Sequence, residues 1–248
     1  MSSSTVVALS PREARALLVK LYFLMRKLPN SRPGILLLGP PGVGKSTLVK
    51  DVAKYIARVL GREFIEYDDT KFDMIMSNPD KYFVFLDLRL TECEPSDLIG
   101  VPRDVGREGV AYKPLLWALV LRRCPGILFL DELTNVQRDD VLAVAYKLVL
   151  DRRAGFVELN PDVMIVSAGN RPEHSAIARG LPAPLVNRFI VIDVELGTGR
   201  DSVADWIDFT YSSDSGEERV KISETTVERL VKMRRATPCR RVSAYLMM

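Results

Sequence analysis

The segment Gly39-Pro40-Pro41-Gly42-Val43-Gly44-Lys45-Ser46 constrains this chain more than any other. It fits G-x-x-x-x-G-K-[ST], a pattern that carries meaning only after a buried strand and before a helix. Both flanks are present. Ile35 to Leu38 is a short apolar run bounded by glycine, as expected of a strand covered on both faces. From about Ser46 to Leu60, the residues Leu48, Val49, Val52, Ile56, Val59 and Leu60 recur at helical spacing, and Gly61 stops the helix. Glycines let such a loop wrap closely, so that backbone N–H groups converge on phosphate oxygens and the helix N-terminus adds partial positive charge. Lys45 would then reach the β- and γ-phosphates of a bound nucleotide, and the Ser46 hydroxyl would ligate Mg2+.

The alternation continues along the chain. Tyr82 to Leu90, Ile127 to Leu130, Val163 to Ser167 and Phe189 to Val194 read as strands, with helices at Leu115 to Arg123 and Asp139 to Leu150. Strands alternating with helices predict a parallel α/β sheet flanked by helices on both faces. Ahead of it, Ser10-Pro11-Arg12-Glu13 forms a capping box with proline at the first helical position. It opens a helix over about 11–28 whose apolar positions are Ala16, Leu17, Leu18, Leu21, Leu24 and Met25. Thr91 to Lys113 and Asp151 to Asp162 carry glycine, proline and charge without clear periodicity, and are expected as insertions or loops. Beyond Leu196 the strand pattern stops, while Val203 to Tyr211 and Thr225 to Arg235 read as helices. Residues 1–196 are thus expected to form an α/β core, and 197–248 a small helical appendage.

Composition narrows the chemistry. With 47% hydrophobic and 27% charged residues in 248, the chain fits an ordinary globular protein and not a disordered or repetitive one. Its longest uninterrupted apolar run, Leu115 to Leu121, is far short of a membrane span. The first ten residues lack a secretory pattern, which leaves the cytoplasm as the expected compartment. Cys93, Cys124 and Cys239 are odd in number and widely spaced, pointing to neither a disulfide framework nor a zinc site. A single histidine, His174, nearly removes histidine-based triads and multi-histidine metal centres. A net charge of +3 is too balanced to argue by itself for nucleic acid.

Three strand ends carry candidate chemistry. Ile127 to Leu130 runs into Asp131 and Glu132, which places carboxylates at the sheet edge where open α/β folds bind ligands. Asp131 would hold Mg2+ through water, and Glu132 would orient or deprotonate an attacking water. At the end of the next strand Asn170 either positions that water or the γ-phosphate, or is an ordinary turn residue. Arg188, at the start of the last strand, is either a surface ion-pair residue or a charge supplied to a neighbouring subunit's nucleotide. Arg103, Arg107, Lys113, Arg152 and Arg153 are either polyanion contacts or solvated loop charges. His174 reads as a loop residue, and Trp117 and Trp206 as core.

Taken together these motifs resemble the AAA+ ATPases, and within them the MoxR-like group. The resemblance lies in Gly39 to Thr47, in Ile127 to Glu132 with Leu133-Thr134-Asn135, in Ser167-Ala168-Gly169-Asn170-Arg171-Pro172, and in Asp97 to Pro102, Leu148 to Arg153 and Leu181 to Phe189. It spans about residues 34–194 and implies a P-loop NTPase core carrying a helical lid, in a ring homo-oligomer, usually a hexamer, with ATP between subunits. It further implies that Asn170 is sensor 1 and Arg188 the arginine finger acting in trans, with Arg179 the weaker choice of finger. An insertion falls within Thr91 to Lys113 and a hairpin within Asp151 to Asp162, segments that commonly face the central pore and partners. The expected activity is ATP-driven remodelling of a partner protein, with a nucleic-acid motor or helicase accessory as the alternative. The chain departs from the pattern near its end. Thr237-Pro238 is followed by Cys239 before Arg240 and Arg241, so Arg240 is the sensor 2 candidate and the lid is expected to be short or incomplete.

Overall fold

Ser10 caps helix α1 (Pro11–Lys27) as the capping box requires: its side chain accepts from the Glu13 backbone N–H, and Glu13 reaches back to the Ser10 N–H at 2.9 Å. The computed structural model describes residues 8–28, 32–106, 109–173, 175–181 and 189–195. After α1 come β1 (Gly34–Leu38), α2 (Lys45–Val59), β2 (Glu63–Glu66), α3 (Phe72–Ser77) and β3 (Tyr82–Arg89). A short α4 (Ser96–Ile99) leads into β4 (Val101–Asp104) and β5 (Val110–Lys113), then α5 (Leu116–Arg123), β6 (Gly126–Asp131) and α6 (Asp139–Asp151). The described chain closes with β7 (Arg153–Ala154), β8 (Val157–Glu158), β9 (Val163–Gly169) and β10 (Phe189–Asp193). The predicted helices at Val203 to Tyr211 and Thr225 to Arg235, together with Cys239, Trp206 and the Thr237 to Arg241 segment, lie outside the described residues.

Six strands form one wholly parallel sheet in the order β10-β1-β9-β6-β3-β2, as the α/β alternation predicts. Because side chains alternate along a strand, the sheet carries two apolar layers. Ile35, Leu37, Phe83, Phe85, Ile127, Phe129 and Val166 pack beneath α1 and α2. Leu36, Val84, Leu86, Leu128, Leu130 and Ile165 face the opposite layer, which Ile75, Trp117, Leu121, Ala145 and Leu148 complete from α3, α5 and α6. Burial of each such Leu or Phe stabilises the fold by about 1.5–3 kcal/mol. Among the described residues no helix is long and apolar enough to cross a membrane.

The structure departs from the sequence reading in three places. Val59 is 53% exposed, and the buried stripe of α2 runs through Ala53 and Ala57 instead. Small alanines let α1 approach α2, so the stripe rotates away from the last valine. Glu63–Glu66 adds an edge strand that the sequence does not announce, since only Ile65 among its four residues is buried. Where the structure follows the reading, Thr91 to Lys113, expected as an insertion, contains an antiparallel hairpin, β4–β5, and Asp151 to Asp162 contains the expected hairpin, β7–β8. Arg152 is neither a solvated loop charge nor a polyanion contact. It sits in a left-handed conformation at the end of α6, with its guanidinium donating to the carbonyls of Asn160 and Val163, and burial brings its pKa down to about 10.

Candidate functional site

The loop after β1 is shaped by what surrounds it. Leu38 is in register with Gly169 of β9 and Asp193 of β10, so the chain leaves the sheet between two strand ends. A side chain on Gly39 would lie 2.2 Å from the Val194 carbonyl oxygen, so only glycine fits where the loop begins. Val43 is buried and anchors the loop from below. Gly44, with φ of 85°, turns the chain into α2 in the left-handed region that glycine adopts without strain. No side chain caps α2, so its first backbone N–H groups stay available to an anion.

Residues far apart in sequence converge on this loop. The Lys45 ammonium donates to the carbonyls of Gly39 at 3.0 Å and Pro40 at 2.9 Å, and to Asn170 Oδ1 at 3.1 Å. Its pKa is lowered by burial, an effect that Asp131 opposes. Ser46 Oγ donates to Asp131 Oδ2 at 2.9 Å. Asp131 Oδ1 in turn accepts from the Glu132 backbone N–H at 2.8 Å. Glu132 has φ of 59°, a conformation costly for a residue with a side chain, and strain of this kind clusters at functional sites. Thr91 Oγ1 donates to its carboxylate at 3.0 Å, and Arg89 Nε lies 3.8 Å from the other oxygen.

Five of the predicted residues therefore meet: Lys45, Ser46, Asp131, Glu132 and Asn170. Gly39 to Gly44 wrap around the same point, and Thr47 is exposed on the first turn of α2. Arg188, Arg240 and His174 lie outside the described residues. Arg179 donates from its side chain to Asp139 at 3.2 Å and from its backbone to the Thr134 carbonyl at 2.8 Å. Cys124 is buried, and desolvation pushes its thiol up to about 11, as expected of an inert core thiol.

Further residues, to which the sequence reading gives no role, enter the site. Asp87 lies on the same face of the sheet as Asp131, and burial followed by repulsion from Asp131 raises it to about 6. It still reaches solvent, which softens the first of these effects. Thr134 is buried, and its hydroxyl accepts from the Asn170 backbone N–H at 2.8 Å. The apposed Ser46 hydroxyl and Asp131 carboxylate are hard oxygen donors, the set Mg2+ accepts when phosphate and water complete its shell. Among the described residues no cluster of three or more His, Cys, Asp or Glu could hold a metal ion.

The sequence profile described as "ATPase family associated with various cellular activities (AAA)" matches residues 35–195, nearly two thirds of the chain. No curated protein matches the chain significantly. Among solved structures, one described as a "putative ATPase" from Cytophaga hutchinsonii is similar at 15% identity with a TM-score of 0.40. That similarity covers 90% of this chain and 62% of the other, so this chain spans less than two thirds of its length.

Proposed function

The chain belongs to the AAA family of ATPases, and on that premise we propose how its own residues bind and hydrolyse ATP. The backbone N–H groups of Gly39 to Ser46 cradle the phosphates, and Lys45 exchanges its loop and Asn170 acceptors for β- and γ-phosphate oxygens. Ser46 and Asp131 would hold Mg2+, which when bound would supply charge neutralisation to the phosphates. Glu132 leaves Thr91 to orient and deprotonate the attacking water, while Asn170 positions that water against the γ-phosphate. Little covalent chemistry is asked of the protein, because preorganised charge accounts for most of the barrier lowering.

The observation that carries this reading is the pairing of two adjacent residues of α2, Lys45 and Ser46, with the ends of two different strands, at Asn170 and Asp131. The reading extends to a MoxR-like ring homo-oligomer, usually a hexamer, in which Arg188 reaches a neighbour's nucleotide and Arg240 serves as sensor 2. Residues 1–196 act as the core and 197–248 as its lid. Ring movements remodel a partner protein. The two hairpins support such remodelling, because Val101, Val110, Tyr112 and Phe156 are exposed on them, and the Tyr112 and Phe156 rings pack 5.5 Å apart, joining one hairpin to the other. A nucleic-acid motor is less well supported, since the Arg152 guanidinium is taken up by carbonyls of its own chain.

The test is steady-state ATP hydrolysis. Glu132→Gln should bind ATP and fail to turn it over, and normal turnover would remove Glu132 from its role. Arg188→Ala should hydrolyse poorly yet regain activity when mixed with Glu132→Gln subunits, because mixed interfaces then hold one intact set of groups. Absence of rescue in assembled rings would count against action in trans.

A further inference from the structure

We infer that Arg171 is a positioning residue for Asn170, acting through a part-buried fork to Asp193 that spans the root of the phosphate loop. This role rests on the one proposed for Asn170. Strand order at this edge is β10-β1-β9, and both Asp193 and Gly169 are in register with Leu38, the last residue of β1. From just beyond β9, Arg171 therefore reaches over the exit of β1 to a partner two strand spacings away, about 10 Å. Arg171 Nε donates to Asp193 Oδ1 at 3.0 Å, and Nη2 meets Oδ2, so both carboxylate oxygens are engaged side-on.

Both ends of this bridge are anchored. Asp193 is 8% exposed, its backbone carbonyl accepts from the Leu9 N–H at 2.8 Å, and the next residue, Val194, donates to the Leu38 carbonyl at 2.7 Å. On the other side, Thr134 holds the Asn170 N–H, and Gly169 lies so close to Thr134 that an added Cβ would be 2.5 Å from its methyl group. Asn170 is thus fixed through its own backbone and through the side chain of the residue after it, while its amide oxygen meets Lys45. A buried ion pair is a poor source of net stability compared with apolar packing of similar volume. What a two-pronged guanidinium–carboxylate contact supplies is direction. Here that direction sets the turn presenting Asn170.

The experiment compares kcat, KM and Tm for the full chain and its variants with Mg-ATP. Arg171→Lys keeps the charge but loses the fork, and Asp193→Asn keeps the shape but loses the charge. Each should lower kcat by about ten- to hundredfold, as expected when a reacting group is misplaced by an ångström, with KM within about threefold. An Arg171→Met/Asp193→Leu pair removes the two charges together and should restore Tm without restoring kcat. Turnover of that double variant within about twofold of the parent, alongside an impaired Asn170→Ala, would reduce the fork to a structural contact and overturn the inference. Full activity in Asn170→Ala would instead overturn the sensor reading on which it rests, a result the Lys45 and Glu132 variants leave distinguishable.

Discussion

Replacing Lys45 with alanine should separate nucleotide binding from folding. The ammonium makes three hydrogen bonds of 2.9–3.1 Å, to Gly39, Pro40 and Asn170. All three acceptors are neutral. A phosphate oxygen brings a full opposite charge, worth about 4 kcal/mol at 4 Å with an effective dielectric of 20. Each phosphate oxygen gained replaces one of these bonds, which returns roughly 1–1.5 kcal/mol of that. The difference, about 2.5–3 kcal/mol, corresponds to ATP binding weakened roughly 70- to 150-fold. Stability should move less. The abandoned carbonyls line a loop that water reaches, so the loss is about 1–2 kcal/mol against a total of roughly 5–15 kcal/mol. At about 2–4 °C per kcal/mol, Tm falls by only a few degrees. Calorimetric titration of Mg-ATP onto parent and variant, with Tm measured for each, reads both quantities. ATP affinity in a folded Lys45→Ala within about threefold of the parent would refute the assignment of the lysine to the phosphates.

Two further outcomes follow from the geometry around the loop. Gly39→Ala would drive a Cβ into the Val194 carbonyl oxygen, a backbone atom that cannot rotate away, so β10 must shift from β1. Overpacking of this kind costs about 1–3 kcal/mol. A parent-like Tm together with parent-like ATP affinity would show that the loop root is not held as described. Asp87 is raised to about 6, so the folded chain binds its proton more tightly than the unfolded chain does. The stability this contributes is fully present below about pH 4 and is lost as pH rises through 6. Asp87→Asn should therefore raise Tm at pH 7.5, with the gap closing towards pH 4; an equal shift at both would contradict the raised pKa of Asp87.

Local sequence determined much of this protein. The Ser10 to Glu13 box starts α1 where a reciprocal cap is possible. The apolar run into Gly39 and the helical stripe after Gly44 place a phosphate-type loop at a sheet edge, and the run into Asp131 brings acids to the same edge. These signals depend on neighbours within a few residues, which periodicity and capping record. Tertiary structure decided the rest, because its causes lie between strands that the chain visits far apart. Glu63–Glu66 becomes a strand only through pairing with β3, having one buried residue of its own. Thr91 meets Glu132 across 41 residues, Thr134 holds Asn170 across 36, and Arg171 finds Asp193 across 22. Arg152 reads as a free cation in the sequence because the chain gives no sign that its end of α6 faces the carbonyls before β9. A single sequence records which residues can carry charge at an edge. Only the order β10-β1-β9-β6-β3-β2 decides which of those charges touch, since hydrogen-bonded strand neighbours, not chain neighbours, bring them within reach.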